Sequence, residues 1–88
     1  MLQNDFLIIN KLGLHARASA LFVKTSSQFS SDVKLGRDGV EVNGKSIMGI
    51  MMLAASKGSL VTLTVNGVDE SEAFHVIGEL IANGFGEE

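Results

Sequence analysis

The sequence predicts an α+β fold in which helices cover one side of an antiparallel sheet. Segments with an apolar residue at every second position alternate with segments whose apolar residues recur at helical spacing. The predicted order is strand, helix, strand, strand, short helix, strand, helix. Strands with one apolar and one polar face are typical of an antiparallel sheet that is packed on one side only. We expect one domain over residues 1–88, which is long enough for a single core.

The first half of the chain is predicted to contain three strands and one long helix. Residues 6–9 form an apolar run with two β-branched side chains, typical of a strand that is buried on at least one face. Residues 16 to about 29 have apolar positions at helical spacing. Residues 33–35 and 40–42 alternate on either side of Asp38-Gly39, which favours a tight hairpin. The residues expected on the buried face of the helix are Ala18, Leu21, Phe22 and Phe29.

The second half is predicted to contain a short helix, a strand and a final helix. Residues 46 to about 53 form the short helix, which Lys57-Gly58 would end. Residues 60–65 show the clearest strand alternation in the chain. The acidic residues 69–72 suit the first turn of the final helix, and Asn83-Gly84 suits its end. The apolar stripe expected on this helix consists of Ala73, Phe74, Ile77, Leu80 and Ile81.

Composition and charge argue against several classes of function. The net charge of −3 disfavours nucleic acid or an anionic membrane as the main partner, because both attract basic surfaces. The strands also offer little aromatic surface for stacking on bases. Without cysteine there is neither a disulfide nor a thiolate metal site, and the two histidines stand apart, so we expect no metal and no cofactor. No apolar run reaches the roughly 20 residues that span a bilayer, and no secretory pattern is present, so we expect a cytoplasmic protein without membrane contact.

One histidine lies where the first strand gives way to the first helix. Residues 10–19 read NKLGLHARAS and place His15 at or near the N-cap of that helix. The first backbone N–H groups of a helix have no intrahelical partner and, with the helix dipole, favour an anion. Arg17 adds a guanidinium suited to phosphate oxygens, and neutral imidazole is a nucleophile. The pattern fits a histidine that accepts a phosphoryl group, although the residues alone also allow a solvent-facing pair without chemistry.

Two segments are similar to segments of a known family. GLHAR, followed by a small residue, resembles the active-site segment of the HPr-type phosphocarriers of the bacterial phosphotransferase system, including the nitrogen-related branch NPr. KSIMGIMMLAASKG, residues 45–58, resembles the second characteristic segment of this family. The resemblance runs the full length of the chain. It implies an open-faced sandwich, in which a four-stranded antiparallel sheet has three helices on one face.

The resemblance also implies roles for the residues of the histidine segment. His15 would be phosphorylated on Nδ1 by enzyme I at the expense of phosphoenolpyruvate, and would pass the group to an enzyme IIA. Arg17 would steady the phosphoryl group, and the backbone N–H of Ala16 would contact it. Family members usually have proline where this chain has Ala18. Alanine is the best helix former, so we expect the helix to persist and the stiffness of the loop that holds His15 to change.

The second segment contains a serine with two compatible roles. Ser46 is expected to cap the short helix through its hydroxyl group. The resemblance implies that HPr kinase/phosphorylase also phosphorylates Ser46 with ATP. Roughly two negative charges at that position would suit the helix dipole and would oppose docking of an acidic partner. The KSIMG context favours the HPr branch over NPr.

The short helix is apolar on more faces than one core can use. Ile50, Leu53 and Ala54 are expected in the core, which leaves Ile47, Met48 and Met51 toward the surface unless these three are core residues as well. Adaptable methionine suits a surface that binds several partners in turn. As in the family, we expect a docking patch around His15 that consists of Ala16, Ala20, Ile47, Met48 and Met51.

The sequence therefore predicts a monomeric phosphoryl carrier whose partner enzymes supply the chemistry, rather than a true catalyst. Two alternatives stay open: a nitrogen-related carrier of the NPr type, and a regulatory module that is not phosphorylated and binds partners through the docking patch. The NGFGEE end of the chain resembles NPr as much as HPr. His75 lies on a polar face of the final helix, so we expect it to be solvated and without a function.

Overall fold

A computed structural model describes residues 1–87 and has the predicted order of elements. The strands occur in the sheet in the order β1-β4-β2-β3, and all neighbouring strands are antiparallel. This arrangement confirms the predicted α+β class and the four-stranded open-faced sandwich with three helices. The elements are β1 (Leu2–Leu7), α1 (Ala16–Ser26), β2 (Asp32–Arg37), β3 (Val40–Asn43), α2 (Ile47–Met52), β4 (Leu60–Asn66) and α3 (Glu70–Ala82), followed by a single 3-10 turn (Gly84–Gly86).

The core lies between one face of the sheet and the helices. Val33 pairs with Val65 and Leu35 pairs with Leu63 across β2 and β4, and all four side chains are buried. Period-two alternation places these residues on one face, and β-branched residues fit such a half-buried surface. The helices cover this face with Ala18, Phe22, Ile50, Ala73, Ile77 and Ile81. Among residues 1–87, none of the helices is long and apolar enough to cross a bilayer.

The first strand begins and ends earlier than predicted. It spans Leu2–Leu7 rather than residues 6–9, and it pairs with β4 from Leu2 opposite Val65 to Leu7 opposite Leu60. Polar residues interrupt the apolar alternation of β1, so the start of this strand is not visible in the sequence. In the fold, two of these residues form hydrogen bonds with threonines of β4. The amide of Gln3 donates to Thr64 Oγ1 at 2.8 Å, and the Thr62 hydroxyl donates to Asp5 at 2.6 Å.

Helix α1 is shorter than predicted, and one of its predicted core residues is wrong. It ends at Ser26, because Gln28 and Phe29 turn back onto the carbonyls of Thr25 and Ser26. The residues that it buries are Ala18, Ser19, Phe22 and Ser26. At 100° per residue, Leu21 lies roughly 115° from the centre of this face, and it is exposed.

Helix α2 ends at Met52, so Lys57-Gly58 is not its stop signal. Ala54 adopts a positive φ of 50° directly after the helix, and it is exposed where the sequence predicted a core residue. Ala55 is buried instead. The guanidinium of Arg37 donates to the carbonyls of Leu53 and Ala54 at 3.0 and 3.3 Å, which satisfies backbone groups that the helix leaves without partners.

The predicted hairpin and the predicted bounds of the last helix are confirmed. Asp38 and Gly39 both have positive φ, 52° and 82°, as a two-residue turn of type I′ requires. Helix α3 has Glu70 and Glu72 in its first turn, and it ends at Asn83 and Gly84. The hairpin and α3 are thus predictable from local sequence.

Asp69, the N-cap residue of α3, ties this helix to the turn before β2. Its carboxylate accepts hydrogen bonds from the hydroxyl of Ser31 and from the backbone N–H groups of Ser30 and Ser31, the latter two at 2.9 Å. The Ser31 hydroxyl, followed by the Ser30 amide, lowers the pKa of the Asp69 carboxyl below its ordinary value of 3.8. The hydrogen bonds favour the charged form, so folding and ionisation of Asp69 are coupled.

We expect Asp69→Asn to reduce stability at pH 7 and to have progressively less effect in acid. A carboxyl whose pKa is depressed by folding stabilises the folded state above its unfolded pKa, and this contribution is lost as the pH falls through the folded pKa. Urea unfolding at pH 7 and at several values below pH 4 measures the difference between the two proteins. Asp38→Asn is the control, because Asp38 is exposed in the hairpin turn. An Asp69→Asn effect that stays constant down to pH 2 would contradict the coupling.

Candidate functional site

His15 is the N-cap residue of α1, as predicted. It has φ −71° and ψ −179°, and its carbonyl accepts the first helical hydrogen bond from Ser19 at 2.9 Å. Within residues 1–87 its side chain makes no capping bond, and 26% of that side chain is exposed. The backbone N–H groups of Ala16 and Arg17 belong to the first turn, where a helix offers donors without intrahelical partners. A reactive ring and unused backbone donors therefore lie at the same helix end.

Among residues 1–87, four hydrogen bonds fix the loop before His15, one of them from the backbone N–H of Gly13 to the carbonyl of Asn10 at 3.1 Å. The backbone N–H of Leu14 donates to the carbonyl of Ala55 at 2.9 Å, and the Leu14 carbonyl accepts from the Ser19 hydroxyl at 3.0 Å. The Asn10 side chain donates to the carbonyl of Gly13 at 2.8 Å. Helix α1 begins at Ala16, and its third residue is Ala18 rather than the proline that is usual in the family. Ala18 is fully buried. Three of these bonds lie within residues 10–19 and the fourth reaches Ala55, so the loop is held without a proline at position 18.

A carboxylate from the end of the chain contacts the histidine ring. His15 Nε2 lies within hydrogen-bond distance of Glu87 Oε2, at 2.7 Å, and Asn10 Nδ2 donates to Glu87 Oε1 at 2.9 Å. The hydrogen bond from Asn10, followed by the contact with His15 and the charge of Arg17, lowers the pKa of the Glu87 carboxyl. Sequence reasoning missed both Glu87 and Asn10. The only local signal was the Asn83-Gly84 helix stop, which indicates that the chain turns and does not indicate where it goes.

An open depression of about 540 Å³ adjoins the histidine, and its wall is partly cationic. The side chain of Arg17 is exposed at its rim. The side chains of Lys11 and Arg17, together with the start of α1, give this small region a basic character in a chain of net charge −3. The depression is lined by Lys11, Leu12, Arg17, Gly86 and Glu87.

Ser46 is the N-cap residue of α2, which confirms the capping prediction. Its Oγ accepts from the backbone N–H of Gly49 at 3.1 Å. The serine is partly exposed, so its hydroxyl is both a cap and an accessible group. Ser46 thus begins the helix that contains most of the predicted docking patch.

The predicted docking patch is exposed and lies on two helices that pack against each other, α1 and α2. Met48 is 72% exposed, whereas Ile50 and Leu53 are buried as expected. Sequence reasoning missed Met52, which is 75% exposed. Exposed apolar side chains at this density are typical of a surface that binds another protein. The exposed members of the predicted patch are Ala16, Ala20, Ile47, Met48 and Met51.

The remaining candidate groups do not form a second site. His75 is exposed on α3, as predicted. Within the described residues 1–87, no three histidine, cysteine, aspartate or glutamate side chains are close enough together to hold a metal ion.

Residues 2–83 match a family model described as the PTS HPr component phosphorylation site. The chain belongs to this family. The phosphocarrier protein HPr of Cupriavidus necator is 59% identical over 87 residues, which cover 99% of this chain and 98% of that protein. The family supplies the phosphocarriers of the phosphotransferase system, so the resemblance seen in the sequence is confirmed.

Two solved structures extend the comparison to the fold. HPr-C-His from Thermoanaerobacter tengcongensis superposes with a TM-score of 0.96 at 50% identity, over 100% of this chain and 99% of that one. A crystallised domain-swapped dimer of Crh, the catabolite repression protein of Bacillus subtilis, has a TM-score of 0.77 at 45% identity, over 96% of this chain and 97% of that one. The open-faced sandwich is thus shared with HPr proteins.

Proposed function

We propose that this protein is a phosphoryl carrier that accepts a phosphoryl group on His15 from enzyme I and passes it to an enzyme IIA. The observation that supports the proposal is the position of His15 in a member of the HPr family. Its ring is partly exposed at the start of α1, and within residues 1–87 it is not used as a helix cap. Phosphoenolpyruvate is the original donor in this scheme, and the carrier itself needs no cofactor.

Each neighbour of His15 has a proposed part in the transfer. The Nδ1 lone pair forms the new bond to phosphorus, while the bond from phosphorus to the donor atom of enzyme I breaks and the donor keeps the electron pair. Arg17 neutralises charge on the phosphoryl oxygens, because a guanidinium donates several hydrogen bonds in one plane. The backbone N–H of Ala16 donates to the same group from the helix start. The reverse exchange delivers the group to the enzyme IIA.

The docking patch is the proposed contact surface for enzyme I, the enzyme IIA and HPr kinase/phosphorylase. It combines small residues next to His15 with flexible apolar side chains on α2, where Met52 extends the exposed surface. Methionine adapts to partners of different shape, which suits a carrier that must bind its donor and its acceptor in succession. Small alanines keep the approach to the histidine open. The residues of this surface are Ala16, Ala20, Ile47, Met48 and Met51.

The working state is proposed to be a cytoplasmic monomer of one domain. Phosphoenolpyruvate and soluble partner enzymes would meet the carrier there. Because a structural relative, Crh, crystallises as a domain-swapped dimer, the monomer stays a prediction, which light scattering of the purified protein tests. Crh also represents the alternative of a regulatory module. The relative from Cupriavidus necator carries the name HPr, which supports this branch over NPr.

The direct test is to incubate the protein with phosphoenolpyruvate and enzyme I. We expect one phosphate per chain, labile in acid and stable in base, as a phosphoramidate bond on histidine requires. The label should then move to an enzyme IIA on mixing. Failure of the wild-type protein to accept any label would overturn the carrier proposal and leave the regulatory module as the better explanation.

Ser46 is proposed as a regulatory site, and Ser46→Ala is expected to abolish labelling by ATP and HPr kinase. A phosphate there would add roughly two negative charges at the start of α2 while remaining compatible with the helix dipole. The same charge would repel an acidic partner from the docking patch. The phosphate should be stable in acid, unlike that on histidine.

The control for this test is Ser56→Ala, which removes another exposed serine shortly after α2. It should be labelled like the wild type. Circular dichroism is needed in parallel, because Ser46→Ala also removes the cap on Gly49 and should cost about 1 kcal/mol. Persistent labelling of a folded Ser46→Ala protein would refute the assignment.

A further inference from the structure

Residues 84–87, which we call the tail, are held against His15 because the side chain of Phe85 is buried in the core. After α3 the chain makes one 3-10 turn, in which Gly84, Phe85 and Gly86 all have positive φ. Phe85 is only 5% exposed and belongs to the core, although a non-glycine residue rarely adopts this conformation. The backbone N–H of Glu87 donates to the Gly84 carbonyl at 3.0 Å and closes the turn. The position of Glu87 is therefore set by packing, although it lies outside the part that matches the family.

Glu87 is oriented by two donors at once. One carboxylate oxygen accepts from His15 Nε2 at 2.7 Å, and the other accepts from Asn10 Nδ2 at 2.9 Å. Asn10 is 1% exposed and also donates to the Gly13 carbonyl, so it cannot easily follow the tail if the tail moves. His15 and Arg17 both favour the ionised form of Glu87, and Lys11 lines the same depression. The fold thus places the Glu87 carboxylate against the His15 imidazole in the protein without a phosphoryl group.

The chemistry of this pair decides which ring nitrogen is free. An ionised carboxylate only accepts hydrogen bonds, so Nε2 must carry the hydrogen. In the neutral ring the lone pair then lies on Nδ1. We propose that Glu87 is a positioning residue that fixes the tautomer and orientation of His15, so that Nδ1 receives the phosphoryl group. This inference rests on the proposed function of His15 as the acceptor.

The pair also suits the product of the transfer. When the Nδ1 lone pair bonds to phosphorus and the donor leaves with its electron pair, no proton leaves the ring. The phosphorylated ring is then an imidazolium whose Nε2–H still donates to Glu87. The carboxylate stabilises the positive charge that forms, as a buried acid does when it orients a catalytic histidine in other proteins. Glu87 acts through His15 and does not touch the transferred group.

Nitrogen NMR of uniformly labelled protein tests the tautomer without any partner enzyme. In the wild type we expect neutral His15 to have its hydrogen on Nε2. In Glu87→Ala the population with hydrogen on Nδ1 should rise by about tenfold relative to the wild type. This is the change expected when one hydrogen bond to a charged group is lost. Glu87→Gln keeps an oxygen acceptor without the charge and should fall between the two. Glu79→Ala, which removes an exposed carboxylate of α3, should match the wild type.

Chemical phosphorylation with phosphoramidate then tests the site of attachment. Phosphorus NMR distinguishes phosphate on Nδ1 from phosphate on Nε2, and the Nδ1 share should drop in Glu87→Ala and recover partly in Glu87→Gln. The inference would be overturned if folded Glu87→Ala kept the wild-type tautomer and was phosphorylated on the same ring nitrogen as the wild type. Because enzyme I takes no part, these results are independent of the carrier test. A protein that fails with enzyme I can still show the tautomer effect, and one that is labelled by enzyme I can lack it.

Discussion

Replacing His15 by alanine is expected to reduce phosphorylation by enzyme I and phosphoenolpyruvate to background. The chain has two histidines, and only His15 lies beside a guanidinium and the start of a long helix. The variant should fold, because within residues 1–87 the imidazole makes no capping bond and its side chain contacts the carboxylate of Glu87 without belonging to the hydrophobic core. The measurement is acid-labile, base-stable phosphate per chain, compared at equal concentrations of folded protein.

His75→Ala is the matched control for this prediction. His75 is the other histidine, and it is exposed on α3. It should accept phosphate at the wild-type rate. Acid-labile label that survives in His15→Ala, or that disappears in His75→Ala, would place the acceptor elsewhere and contradict the proposed site.

Replacing Gly13 by alanine is expected to lower the free energy of unfolding by about 2–5 kcal/mol. Gly13 has a φ of +63°, where an L side chain costs roughly 1–2 kcal/mol. An added Cβ would also overlap the carbonyl oxygen of Ala55 and approach the Cα of Ser56 to 2.8 Å, and overpacking of this kind typically costs about 1–3 kcal/mol. Since the Ala55 carbonyl accepts the hydrogen bond from Leu14, the strain falls on the loop that positions His15.

Gly39→Ala separates the two causes. Gly39 has a similar φ of +82°, and an added Cβ would meet no atom within 4 Å among residues 1–87. It should therefore cost only the conformational share, about 1 kcal/mol. Urea unfolding of both variants gives the comparison. Equal losses at the two positions would show that the close approach of Gly13 to Ala55 contributes nothing.

Local patterns in the sequence were enough for the element order, the hairpin and the two capping residues. The turn at Asp38-Gly39 and the cap at Ser46 depend on residues within four positions of each other. The bounds of β1 and the signal that ends α2 could not be obtained in this way. Polar Gln3 and Asp5 fit a strand only because β4 supplies hydroxyl partners, and α2 stops where Arg37, 16 positions before Leu53, reaches its carbonyls.

The same division applies to the candidate site. The proposed nucleophile, His15, and the guanidinium of Arg17 are two positions apart, so they could be paired from the sequence and the start of a helix alone. Asn10 and Glu87 are 77 positions apart, and His15 and Glu87 are 72 apart. Only the folded chain brings them together, because burial of Phe85 against the core sets the position of Glu87. The sequence by itself determined which residue is the candidate phosphoryl acceptor, and the tertiary structure decided which carboxylate faces its ring.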